Sequence, residues 1–132
     1  MENVKKLLSN DKFAEHCGVE LLEISQGRAK ARLDIGPHHL NGVDIVHGGA
    51  IFALADLVFA AASNSHGTVA VAINASISYL KAARKGALFA EAKEVSLNPK
   101  LATYTIDVTD ENGDRIAVFQ GTVYRKKDKI GG

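Results

Sequence analysis

The spacing of apolar positions changes several times along the chain, and each change predicts an element. Near the N-terminus Val4, Leu7 and Leu8, then Phe13 and Ala14, recur at helical spacing. They predict one or two short outer helices, with Asn10 or Asp11 available as an N-cap between them. From Arg28 to Ile35 the period falls to two: Ala29, Ala31, Leu33 and Ile35 alternate with Lys30, Arg32 and Asp34. That run, paired through Gln26-Gly27 with Gly18 to Ser25, predicts a hairpin with one wet face.

Gly36 to Val46, with Pro37 and Asn41-Gly42, reads as a loop, and Ala50 to about Ser63 as a helix that ends near Asn64 to Gly67. Thr68–Leu80, Ala87–Leu97, Leu101–Thr109 and Arg115–Arg125 read as strands separated by Lys85-Gly86, Asn98-Pro99 and Asn112-Gly113. The tail KKDKIGG is expected to fray. The predicted fold class is α+β: an antiparallel sheet of about six strands wrapped around one long buried helix, in a single domain over residues 1–132.

Composition narrows the function. Sixteen Lys and Arg against fifteen Asp and Glu leave a net charge of +1. The chain as a whole therefore lacks the attraction a nucleic-acid binder requires, although a local basic patch stays open. The lone Cys17 cannot form an internal disulfide and fits a reducing cytoplasm. No apolar run suits a signal peptide or a membrane span, since Ala50–Ala62 is interrupted by Asp56. The expectation is a soluble cytoplasmic protein with no nucleic-acid or membrane partner.

That Asp56 is the chemical anomaly. Ile51, Phe52, Leu54, Leu57, Val58 and Phe59, with six alanines, leave the helix no polar stripe, which predicts burial all round. An ionised Asp in such a helix is either satisfied structurally or belongs to a site. At the helix entrance Gly48 and Gly49 leave the backbone bare, and the first amides of a helix lack carbonyl partners, so they can receive an oxyanion. Equally, the glycines form a tight turn with His47 as its cap, and Asn41-Gly42 forms another turn. Asp56 lies about 10 to 12 Å along the axis from the glycines at about 1.5 Å per residue, too far to serve a carbonyl held at its own helix entrance. An antiparallel second copy would bring one chain's Asp56 beside the other's glycines, which predicts at least a dimer with intersubunit sites.

The run N-G-x(4)-H-G-G-x(2)-F-x-L-A-D at 41–56, N-S-x-G at 64–67, I-S-Y-L at 77–80, Gly86 and V-x-x-G at 118–121 resemble the hotdog-fold acyl-CoA thioesterases of the phenylacetate-degradation (PaaI-like) type. The resemblance spans nearly the whole chain. It implies hydrolysis of an acyl-CoA, aromatic ones such as phenylacetyl-CoA included, to free acid and CoA. Asp56 would be nucleophile or general base, the Gly48 amide the oxyanion donor, and Asn41 and His47 positioning groups. It also implies a homotetramer built as a dimer of dimers. Many relatives add a hydroxyl near the places held here by Ala60 and Ala72, which leaves that group open, with Asn74, Ser76 and Ser78 as candidates to replace it.

Gly49, Asn74 and the cations Lys81, Arg84 and Lys85 complete the expected substrate-binding set, the cations facing CoA phosphates; Arg125 to Lys127 are a second basic candidate. Phe52, Phe59 and the N-terminal segment are expected to line the acyl pocket. There is no G-x-S-x-G elbow, and His16, His38, His39 and His66 lack metal-ligand spacing, so neither a metal nor a cofactor is expected. Two alternatives remain at this stage: a hotdog acyl-thioester hydratase or dehydratase, and a non-catalytic acyl-CoA-binding protein.

Overall fold

The structure, a computed structural model, describes residues 1–131. Helix α1 (Glu2–Ser9) is followed by α2 (Lys12–Cys17), which starts because the Asp11 carboxylate accepts from the Ala14 N–H at 2.9 Å and stops at Gly18 in the left-handed region, φ 79°. Strands β1 (Val19–Ser25) and β2 (Arg28–Asp34) form the expected hairpin. A short 3-10 turn (Pro37–His39) leads to the long helix α3 (Gly48–Asn64). Then come β3 (Thr68–Tyr79), β4 (Ala87–Leu97), β5 (Leu101–Asp110) and β6 (Arg115–Lys129).

The six strands make one sheet in the order β1-β2-β4-β5-β6-β3, antiparallel throughout. Its inner face is unusually small: Ala29, Ala31, Ala90, Ala92 and Ala102 are all buried. These alanines let α3 lie close, and Leu54, Val58 and Phe59 fill the space between. Phe59 makes tilted and edge contacts with Phe119 and Tyr104 at centroid distances of 5.4 and 6.0 Å.

Asn64, at the end of α3, fixes the turn into β3. Its amide donates to the Ala60 carbonyl at 2.8 Å and its side-chain oxygen accepts from the Ala70 N–H at 3.0 Å. Opposite, the Gly27 N–H donates to Ser65 Oγ at 2.8 Å, tying the first hairpin to the same end of the helix. The Asn112-Gly113 turn closes as predicted, with Gly113 at φ 82° and Asp110 accepting from the Asn112 and Asp114 amides.

Four expectations need correction. Residues 126–129 do not fray: β6 continues to Lys129, opposite Thr68, and the Ile130 N–H donates to the Gly67 carbonyl at 2.9 Å. The length of β3 supplies that partner; Gly132 lies outside the described residues. Helix α3 begins at Gly48 rather than Ala50 because His47 caps it. Its burial is not uniform either. Gly49 and Asp56 are exposed and Phe52 and Ala60 half-buried, an open stripe at helical spacing. Phe59, expected in the acyl pocket, is instead 2% exposed within the core.

Candidate active site

The segment leading into α3 is held on itself. The Asn41 side-chain oxygen accepts from the Val43 N–H at 3.0 Å and the Ile45 N–H at 3.4 Å, while the Asn41 N–H donates to the Ile45 carbonyl at 2.8 Å. This turn puts Asp44 at φ 61°. The buried His39 joins it to α2: its Nδ1 accepts from the Gly36 N–H, its Nε2 donates to the Cys17 carbonyl at 2.6 Å, and its own carbonyl accepts from the His47 N–H at 2.7 Å.

At the first turn of α3 the amides divide. The Gly49 N–H donates to His47 Nδ1 at 2.8 Å, and the Ala50 N–H to the His47 carbonyl at 2.9 Å. The Gly48 N–H has no partner among the described residues. The Gly49 donor is thus taken up by the cap, while the residue itself is exposed. His47 acts as that cap, with its ring accepting at Nδ1 and its proton on Nε2.

Gly48 opens into a cleft of about 300 Å³ lined by Asn41, Ile45, Ile51, Tyr79, Leu80 and Lys81, among others. Nothing in the backbone angles calls for glycine at 48, which is not in the left-handed region. The requirement is contact. A Cβ there would lie 3.0 Å from both Cζ and Oη of Tyr79, whose hydroxyl donates to the Gly48 carbonyl at 3.0 Å. At Gly49 a Cβ would lie 3.0 Å from His47 Nδ1 and would disturb the cap.

Asp56 is not among the residues lining this cleft. It stands on the open stripe of α3, reached by solvent on one side and walled by apolar neighbours on the other. Those neighbours first, and the Asp11 carboxylate second, hold its carboxyl above the ordinary aspartate value of 3.8. Burial on all sides, expected from the sequence, is thus corrected to one-sided desolvation. A carboxylate so placed takes a proton more readily than a surface Asp, as a general base requires.

The structure thus brings Asn41, Gly48 and Lys81 to one cleft. Lys81 is latched to Asp114 at 2.5 Å and Asp110 at 3.7 Å, and the hydrogen bond to Asp114 raises its ammonium above 10.5. Arg84 and Lys85 lie beyond the cleft, exposed, and no acidic side chain among the described residues pairs with them. Asn74 is exposed on the edge strand β3, opposite Thr122 of β6, and does not line the cleft. Sequence reasoning missed two contributors. Tyr79 sits inside I-S-Y-L but its partner is 31 residues away, and Asp11 was legible only as a helix cap. No group of three His, Cys, Asp or Glu is placed to hold a metal among the described residues, and no helix there is long and apolar enough to cross a membrane.

A six-stranded antiparallel sheet around one long helix is the hotdog fold of the thioesterases. The chain belongs to the thioesterase superfamily, whose family model matches residues 44–117. It is 31% identical over 132 residues to the acyl-coenzyme A thioesterase PaaI of Escherichia coli, a match covering 99% of this chain and 91% of that one. The solved structure of E. coli PaaI, from the phenylacetic acid degradation operon, superposes with a TM-score of 0.93 over 98% of this chain and 94% of that one. The phenylacetic acid degradation protein PaaI of Thermus thermophilus, solved as a single-site variant, is 38% identical with a TM-score of 0.84, covering 88% of this chain and 100% of that one. A protein of Archaeoglobus fulgidus that carries the provisional name of an esterase is 49% identical over 127 residues, or 95% of this chain and 82% of that one.

Proposed function

We propose that the substrate is an acyl-CoA, hydrolysed to the free acid and CoA at a site shared by two copies of the chain. The observation that carries this reading is the separation of Gly48 from Asp56. The cleft lined by Gly48 has no carboxylate of its own chain in its wall, and Asp56 lies about 12 Å along the same helix at about 1.5 Å per residue. Both Asp56 and the edge strand face outward. Along β3, Val71 to Ser76 are exposed without a break, with Val71 at 44% and Ile73 at 58%. An unpaired apolar edge beside an open helix stripe favours a two-fold partner, which sets Asp56 of one chain against Gly48 and Asn41 of the other. A dimer of dimers is the further assembly this reading expects.

In this site the acyl carbonyl oxygen takes the Gly48 N–H, and the Asn41 side-chain amide, whose oxygen is already engaged in its turn, orients water or carbonyl. Asp56 either removes a proton from water as the oxygen attacks the thioester carbon, or attacks it directly to give a mixed anhydride that water then opens. Collapse of the oxyanion breaks the C–S bond and releases CoA thiolate, which is protonated. Arg84 and Lys85 receive the CoA phosphates, with Lys81 at the cleft.

Thiol release measured across short, long, aromatic and hydroxyaromatic acyl-CoAs tests the substrate class, and hydration of crotonyl-CoA without thiol release would overturn it. Single turnover in H₂¹⁸O tests the anhydride route, since label enters Asp56 only when water opens the anhydride at the Asp56 carbonyl. The shared site is tested by co-refolding two dead variants, Asn41→Ala and Asp56→Asn. Random exchange gives heterodimers with one intact site in two, and activity returns to roughly a quarter of wild type. Remixing proved by mass spectrometry with no recovered activity would rule the shared site out.

A further inference from the structure

We infer that Tyr79 is a positioning residue for the oxyanion donor, an inference that rests on the thioesterase reading of Gly48. Tyr79 ends β3, where its neighbours Leu80 and Lys81 are tied to the Ile116 carbonyl by backbone bonds of 2.8 and 3.3 Å. The strand end is therefore a fixed platform. From it the phenol ring lies against Gly48, so close that a Cβ there would stand 3.0 Å from Cζ and Oη, and the hydroxyl donates to the Gly48 carbonyl.

Gly48 is then held on both sides. On its N-terminal side, the peptide that carries the free N–H has its carbonyl, that of His47, occupied by the Ala50 and Ile51 amides at 2.9 and 3.3 Å. On its C-terminal side, the Gly48–Gly49 peptide is gripped by Tyr79 Oη at the carbonyl and by His47 Nδ1 at the amide. Glycine has the greatest backbone freedom of any residue, so an oxyanion donor on it needs external constraint to stay aimed. His47 supplies part of that constraint from the helix cap, and the Tyr79 hydroxyl supplies the rest from the sheet. The same residue also lines the cleft that Gly48 lines.

The test compares Tyr79→Phe and Tyr79→Ala, with Asp56→Asn alongside, in thiol release from phenylacetyl-CoA and acetyl-CoA, with thermal melting of each variant. Tyr79→Phe keeps the ring and removes only the hydroxyl. It is expected to lower kcat about 5- to 30-fold while KM stays within about twofold, because aim is lost but the cleft wall is not. Tyr79→Ala should be impaired at least as much and should also raise KM. Wild-type kcat in Tyr79→Phe beside a dead Asp56→Asn overturns the inference and leaves the thioesterase site standing. A raised KM with unchanged kcat in Tyr79→Phe also overturns it, by making the hydroxyl a substrate contact. Wild-type kcat in both Tyr79→Phe and Asp56→Asn overturns the site itself.

Discussion

Gly48→Ala separates stability from catalysis at one methyl group. The new Cβ would stand 3.0 Å from Cζ and Oη of Tyr79 and 3.4 Å from Cε1, tighter than ordinary contact. Because Tyr79 is 51% exposed, its ring can yield by a few tenths of an ångström, and the 3.0 Å bond from Oη to the Gly48 carbonyl stretches or breaks. Losing that half-exposed hydrogen bond costs about 0.5 to 1.5 kcal/mol. Replacing glycine by alanine within a helix returns up to about 1 kcal/mol. The two nearly cancel, so the melting temperature should move little. Catalysis has no such offset: a displaced Gly48 N–H loses its aim at the oxyanion, and removal of one such donor elsewhere costs about 10² to 10³ in kcat. Thiol release and differential scanning calorimetry on the same preparation check both halves. An unchanged kcat in a variant of unchanged melting temperature would refute the oxyanion role and reduce Gly48 to a packing requirement of Tyr79.

Asp56→Asn should lower kcat by about 10² to 10⁴. Because the folded protein raises the Asp56 carboxyl above 3.8, ionisation costs stability as pH rises through that range, so the Asn variant should be equally or more stable at neutral pH and lose that advantage in acid; urea titrations at pH 7 and pH 4 check this, and the acid limb of wild-type kcat/KM should lie above 3.8. Gly121→Ala would set a Cβ 2.6 to 2.9 Å from three ring atoms of the fully packed Phe59, in a strand paired on both sides. It should destabilise by about 1 to 3 kcal/mol or more, with Phe59→Leu partly restoring it in a double-mutant cycle; a neutral Gly121→Ala would contradict the packing. At Glu94, burial pushes the carboxyl up, but hydrogen bonds from His66 at 2.6 Å and Tyr104 at 2.7 Å outweigh it and leave it below 4.5. Its contribution is therefore complete above 4.5 and lost as pH falls through the folded value, so the stability gap between wild type and Glu94→Gln should narrow in acid melts, and a constant gap would refute the assignment.

What the sequence made legible were features whose cause is local. The alternation of Ala29, Ala31 and Leu33 with Lys30 and Arg32, the Asp11 cap and the Asn112-Gly113 turn are each decided within a few residues, and the structure has all three. Asn41, His47, Gly48 and Asp56 could be proposed together from the sequence because they lie along one loop and helix. What escaped was settled by distant partners. An apolar helix stripe looks the same in sequence whether the sheet covers it or leaves it open, so the exposure of Asp56 could not be read. Likewise, whether Gly48 or Gly49 keeps a free amide depends on which way the His47 ring turns. Tyr79 reaches Gly48 only because the sheet returns β3 past the helix entrance.

The alanine-lined inner sheet has a consequence for how such a protein diversifies. With Phe59 wedged against Phe119 and Tyr104 and with alanines bringing α3 down onto the strands, the middle of the helix is packed directly on the sheet. A group bound away from that packed middle would meet flanks where side chains are exposed and substitutions cost little stability. Selectivity would then be open to change through substitutions at the rim that leave the packed interior intact, so that one backbone could be given different acyl preferences at little cost in stability.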